Sequence, residues 1–128
     1  MPLNVTSRLE DDFAILELEG SLTLGPSLTT LREVAREMLN GRKVAGIILQ
    51  VGGVTVTDSS GLGELTVVYT LAASRNTPIR LVEVSPNLRK MLIMTRIDEL
   101  LPAASDVASA KSELKKSGGI AKAHGKGE

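Results

Sequence analysis

The stretch Val44-Ala45-Gly46-Ile47-Ile48-Leu49-Gln50-Val51-Gly52-Gly53-Val54-Thr55-Val56-Thr57-Asp58-Ser59-Ser60-Gly61-Leu62-Gly63 runs from the most continuously apolar segment of the chain into a serine-bearing turn. Val44 to Leu49 is short and bounded by Arg42-Lys43 and Gly52-Gly53, which predicts a central strand covered by helices on at least one face. Val54 to Thr57 reads as a second short extended piece leading into Asp58 to Gly63. Beyond it Leu62, Leu65, Val68, Tyr69 and Ala72 recur at helical spacing, the inner stripe of a helix. A strand, a Ser/Gly turn and a helix in that order mark an α/β unit.

Working outward, residues 4 to 9 and 12 to 19 read as two strands joined by the acidic Glu10-Asp11-Asp12 turn. In the second, Ala14, Leu16 and Leu18 face one way and Phe13, Ile15, Glu17 and Glu19 the other, which predicts a strand with one face on the core. Gly20 to Ser27 is a loop, and Pro26 is placed to open a helix because its missing N–H is one a helix leaves unpaired. Leu28, Leu31, Val34, Ala35, Met38 and Leu39 form its apolar side, with Arg32, Glu33, Arg36 and Glu37 opposite, and Asn40-Gly41 ends it. Downstream, Asn76-Thr77-Pro78 breaks the second helix and Ile79 to Val84 supplies a strand. Ser85-Pro86 starts a third helix, with Leu88, Met91 and Leu92 pointing inward. Leu100 to Ala103 predicts a short edge strand, and Ser105 caps a last helix carrying Val107, Ala110 and Leu114. Helices alternating with the later strands predict a single α/β domain over residues 1–116, built on a mixed sheet with parallel central strands and right-handed crossovers.

Residues 117–128 hold Gly, Lys and Ala with hardly any apolar bulk, which predicts a flexible basic tail outside that domain. Residues 1–110 carry 10 Lys and Arg against 13 Asp and Glu, and residues 111–128 carry 5 Lys against 2 Glu, so an acidic body is followed by a basic end. Such a body, without a basic stripe or interleaved aromatics, gives nucleic acid little to hold. Cysteine is absent, which excludes disulfides, thiolate nucleophiles and Cys-based metal sites. With no export-type N-terminus and no apolar run of membrane-spanning length, a cytoplasmic location and no membrane partner are expected.

Enzyme chemistry finds no footing. The only histidine, His124, falls in the predicted tail, and Ser59 lacks the Gly-x-Ser-x-Gly frame of a hydrolase elbow. Gly61-Leu62-Gly63 is half of a dinucleotide fingerprint, but Thr66 stands at the third glycine position and no Gly-Lys-Ser/Thr loop exists. No catalytic residue, cofactor or metal is therefore assigned. The Asp58 to Gly63 turn retains three readings: a helix cap by Asp58 or the serines with glycines for close packing, a phosphoacceptor or recognition element, or a small-molecule site. A phosphoryl group on Ser59 or Ser60 would sit at a helix N-terminus yet beside Asp58, where its charge and bulk could expel a partner.

The Thr57-Asp58-Ser59-Ser60-Gly61-Leu62-Gly63 turn, the Glu19-Gly20-Ser21-Leu22 approach to the first loop, the Val44 to Leu49 strand and the Thr77-Pro78-Ile79 to Val84 strand before a Ser-led helix together resemble STAS domains, particularly bacterial anti-sigma factor antagonists, over roughly residues 4–115. The resemblance implies a mixed sheet with helices mainly on one side. It also implies that Ser59 is the phosphoacceptor, and that Asp58, Ser60, Gly61, Leu62, Gly63, Ser21 and Thr23 form the switch turn and docking surface. The implied partners are an anti-sigma factor serine kinase, bound when Ser59 is unphosphorylated, and a metal-dependent serine phosphatase that restores binding, in a stress-response circuit. Homodimerisation is compatible with this reading. Two departures remove negative charge: many relatives have Asp where this chain has Thr23 and Gln50. The alternative is a non-switching STAS scaffold in a signalling assembly.

Overall fold

The structure, a computed structural model, describes residues 1–125, with side-chain surroundings through residue 116. Strand β1 (Asn4–Glu10) and strand β2 (Phe13–Leu22) form an antiparallel hairpin. Its two-residue connection, Asp11-Asp12, has φ of 54° and 68°, the left-handed pair whose twist matches the flanking strands. Helix α1 (Thr30–Leu39) then crosses to strand β3 (Gly46–Thr57), helix α2 (Ser59–Ser74) to strand β4 (Ile79–Val82), and helix α3 (Pro86–Met94) with a 3₁₀ turn at Ile97–Glu99 to strand β5 (Ala103–Ala104). Helix α4 (Val107–Gly125) completes the chain. The five strands lie in sequence order, β1 antiparallel to β2 and the rest parallel.

The alternation in β2 sorts the molecule into two apolar layers. Ala14, Leu16 and Leu18 join Ile47, Leu49 and Leu81 under α1, α2 and α3 in the main core. Phe13 and Ile15, on the opposite face, join Ile48, Val82 and Ala104 under Ala110 and Leu114 of α4. Three helices therefore pack on one face and one helix on the other. Each fully buried Leu, Ile or Phe contributes about 1.5–3 kcal/mol relative to exposure, so strands apolar on both faces belong at the centre.

Several boundaries differ from the sequence expectation. Val44 to Leu49 and Val54 to Thr57 are not two pieces: β3 is one twelve-residue strand. β2 pairs with it as far as Leu22, and register shifts between Glu17 and Glu19 and between Gly20 and Ser21 absorb its extra residues. Gly53 is part of this bulge, since a Cβ there would lie 2.8 Å from the Leu18 carbonyl oxygen. Pro26 does not open α1; Leu28 N–H bonds Gly25 O and Thr30 N–H bonds Ser27 O in successive turns, and the helix begins at Thr30. β4 stops at Val82 because Glu83 takes φ 62°. The edge strand is Ala103–Ala104, set by pairing with Leu81 and Val82. Asp106, not Ser105, caps α4, accepting from Ser109 N at 2.8 Å. That helix continues through residues 117–125, where composition alone predicts no ordered element; residues 126–128 lie outside the described residues.

Candidate functional site

The long β2–β3 pair delivers both strand ends to one rim, where the β2–α1 loop meets the start of α2. Asp58 is the joint between them. Its backbone is extended, as an N-cap requires, and its Oδ1 accepts from Gly61 N at 2.8 Å. Its Oδ2 accepts from Leu24 N at 3.1 Å, across to the loop. These amides, Gly61 first and Leu24 second, hold the Asp58 carboxyl below the usual carboxylate range. Asp58 N donates to Leu22 O at 3.3 Å, and Leu62 N to Asp58 O at 3.0 Å. The turn is thereby fixed by backbone on both sides.

Ser59 is the first residue of α2 and is exposed; Ser60 is half-buried. The Ser59 hydroxyl has no hydrogen-bond partner among the described residues, so it is presented rather than used structurally. Gly61 and Leu62 are buried beneath it, and Gly63 is exposed. Gly61 permits the approach of α2 to β2: a Cβ there would lie 2.7 Å from the Leu22 carbonyl carbon and 2.9 Å from Leu22 Cγ, and closer still to the carbonyl oxygen. Ser21 and Thr23, both half-buried, belong to the same rim, Ser21 paired with Val56 and Thr23 adjoining the tethered Leu24. The structure thus brings together all eight residues singled out from the sequence.

Gln50 lies apart from them. It sits inside β3, opposite Glu17 and Val82, and its Nε2 donates to Glu83 Oε2 at 2.7 Å. Its Oε1 is buried without a partner among the described residues. Gln50 therefore belongs to the sheet, not to the serine turn.

Two features were missed in the sequence. Leu24 (78% exposed) and Val56 (50%) flank Asp58 and give the rim an apolar character that helical or strand periodicity does not flag in a loop and at a strand end. Glu64, one turn beyond Ser60 on α2, is a buried carboxylate, 2% exposed. Arg32 of α1 grips it through Nε at 2.9 and 3.1 Å and Nη2 at 2.6 Å, and the Arg32 backbone N–H adds a bond of 3.2 Å. The hydrogen bonds and charge of Glu64 raise the Arg32 guanidinium pKa. The signal was available: Glu64 is three residues after Gly61 and four before Val68, on the buried stripe, where a carboxylate needs a partner.

Among the described residues no group of three or more His, Asp or Glu side chains is arranged to hold a metal ion. No helix among them is long and apolar enough to cross a membrane.

Comparison with solved structures returns this architecture repeatedly. A proposed anti-sigma factor antagonist from Thermotoga maritima superposes with a TM-score of 0.77 at 18% identity, covering 87% of this chain and 94% of that one. An anti-sigma factor antagonist from Mycobacterium paratuberculosis gives 0.72 at 16%, covering 88% and 94%. The anti-sigma factor antagonist SpoIIAA in its unphosphorylated form gives 0.65 at 15%, covering 89% and 97%. At such identities the likeness is one of fold. No curated protein is detectably similar to the chain. A family model described as "Mlab, STAS domain" matches residues 5–102, from the first hairpin through all three helical crossovers and the Ser59 turn, and the chain accordingly belongs to the STAS domain family.

Proposed function

We propose that the protein is an anti-sigma factor antagonist that binds a serine-kinase anti-sigma factor while Ser59 is free and releases it once Ser59 is phosphorylated. The observation that carries this reading is the presentation of Ser59: an exposed, unengaged hydroxyl on the first residue of a helix whose cap is locked on two sides by Asp58. The domain contributes a nucleophile and a docking rim. The kinase supplies ATP, Mg²⁺ and the base that takes the hydroxyl proton as the serine oxygen attacks the γ-phosphorus and ADP leaves. Product phosphate gains from the helix N-terminus but stands beside the ionised Asp58, adding charge where Leu24 and Val56 otherwise offer apolar contact. A metal-dependent serine phosphatase completes the cycle by hydrolysis. Likeness of fold to one proposed and two described antagonists, one of them in an unphosphorylated form, supports the assignment.

A non-switching scaffold is the second reading, favoured by one observation: the matching family model carries the name Mlab rather than that of an antagonist. Calorimetric titration of the partner kinase with unphosphorylated and Ser59-phosphorylated protein separates the two. The switch requires affinity to fall at least about tenfold, 1.4 kcal/mol, and undiminished binding of the phosphorylated form supports the scaffold.

A further inference from the structure

Helix α1 has no cap of its own. Thr29, at its N-cap, is already in helical conformation (φ −69°, ψ −10°) and makes no side-chain cap bond. A helix leaves its first amides without internal acceptors, and burial of an unpaired one is costly. The first two helical residues turn back on the preceding loop, Thr30 N–H to Ser27 O and Leu31 N–H to Leu28 O. The third, Arg32, gives its N–H to Glu64 Oε2 of α2 at 3.2 Å. A carboxylate from one helix thus stands where the N-cap of another would.

From this geometry we infer that Glu64 is a positioning residue: it caps α1 in trans and, with Asp58, clamps the β2–α1 loop against the start of α2. Asp58 holds the loop at Leu24 N, and Glu64 holds the first turn of α1, into which the loop runs, at Arg32 N. Both carboxylates come from the segment that bears Ser59, so loop and turn form one rigid surface. This accounts for a buried carboxylate in a helix stripe that is otherwise apolar or glycine. The Arg32 guanidinium then serves to neutralise and aim the cap. That the clamped surface faces a partner rests on the reading of Ser59 given above; the clamp itself does not.

The test is residue-resolved amide exchange on the whole protein without partner, which leaves the Ser59 question to phosphorylation assays. Glu64→Leu is expected to speed exchange at Arg32 and across Leu24 to Leu28 about tenfold or more, the loss of a charge-assisted bond, while Ile47, Ile48 and Leu49 keep their protection. Glu64→Gln, which retains a neutral acceptor, restores most of it and serves as the comparison if the leucine variant does not fold. The double variant Arg32→Glu with Glu64→Arg restores the ion pair but offers no acceptor to the α1 amide, so loop protection stays low. Recovery in that swap, uniform acceleration throughout the sheet, or an unchanged loop in both single variants would each overturn the inference.

Discussion

Gly61 and Gly63 stand two residues apart in the first turns of α2, yet alanine at the two sites should act with opposite sign. At Gly61 the new methyl would be 2.7 Å from the Leu22 carbonyl carbon and 2.9 Å from its Cγ, with backbone rather than a yielding side-chain tip in the way. Relief requires moving α2 off β2, which strains the Gly61 N–H bond to Asp58 and, through Asp58, the Leu24 tether. Overpacking of this kind costs about 1–3 kcal/mol and sometimes more, while alanine returns up to about 1 kcal/mol in helix propensity. The rigid obstruction places Gly61→Ala near the upper end, a net loss of about 2 kcal/mol. At Gly63 a new methyl would meet nothing within 4 Å, so only the backbone gain remains, roughly 0.4–1 kcal/mol of stabilisation. Urea unfolding of the two variants should therefore give midpoints on opposite sides of the parent with unchanged slope, separated by about 3 kcal/mol. Equal or same-sign effects would refute the close approach of α2 to β2 on which the geometry of the turn depends.

Ser59→Ala should leave thermal unfolding within about 0.5 kcal/mol of the parent, because the exposed hydroxyl supports no described bond, while phosphate uptake is abolished; a large stability loss would return the serine to a capping role. The carboxyls of Asp58, Glu10 and Asp11 are held low, the first by the Gly61 and Leu24 amides and the others by Lys111. Their stabilising effect is complete above the unfolded carboxylate values, near pH 4, and is lost as pH falls through the lower folded values. Asp58→Asn should accordingly flatten the acid limb of a melting-temperature profile, and an identical limb contradicts the Asp58 clamp. Leu114→Ala, at a side chain 1% exposed under the second sheet face, should cost about 2–5 kcal/mol. Truncation after Lys116 should cost less than about 0.5 kcal/mol if the domain ends where composition places it; a larger loss assigns residues 117–125 to the folded unit.

The sequence carried its elements through periodicity and its turns through particular residues. Ser85-Pro86 does cap α3, with Ser85 Oγ accepting from Leu88 N at 3.1 Å, whereas the alternation in β2 pointed to one face on the core and Phe13 and Ile15 are buried on the other, under α4. What stayed hidden was set by pairing between distant segments. Gly52-Gly53 read as a boundary because glycine ends strands locally, but here β2 continues alongside and the glycines accommodate the bulge. The start of α1 lies at Thr30 rather than Pro26 because residues 25–30 form successive turns, and its third amide finds an acceptor on another helix, 32 positions away. Within the site, a side-chain cap at Asp58 or Ser59 was legible from the turn itself; that Asp58 is the one, its second bond to Leu24, and the Arg32–Glu64 grip emerge only with the loop closed over α2.

Occupancy of Ser59 in the living cell bears most directly on the proposed switch. Phosphopeptide mass spectrometry on protein isolated from its native cells under several growth and stress conditions, with phosphatase-treated material alongside, should find phosphate on Ser59 that rises and falls with condition. A well-covered Ser59 peptide that stays unmodified in every state would contradict the switch and leave a constitutive binding domain in its place.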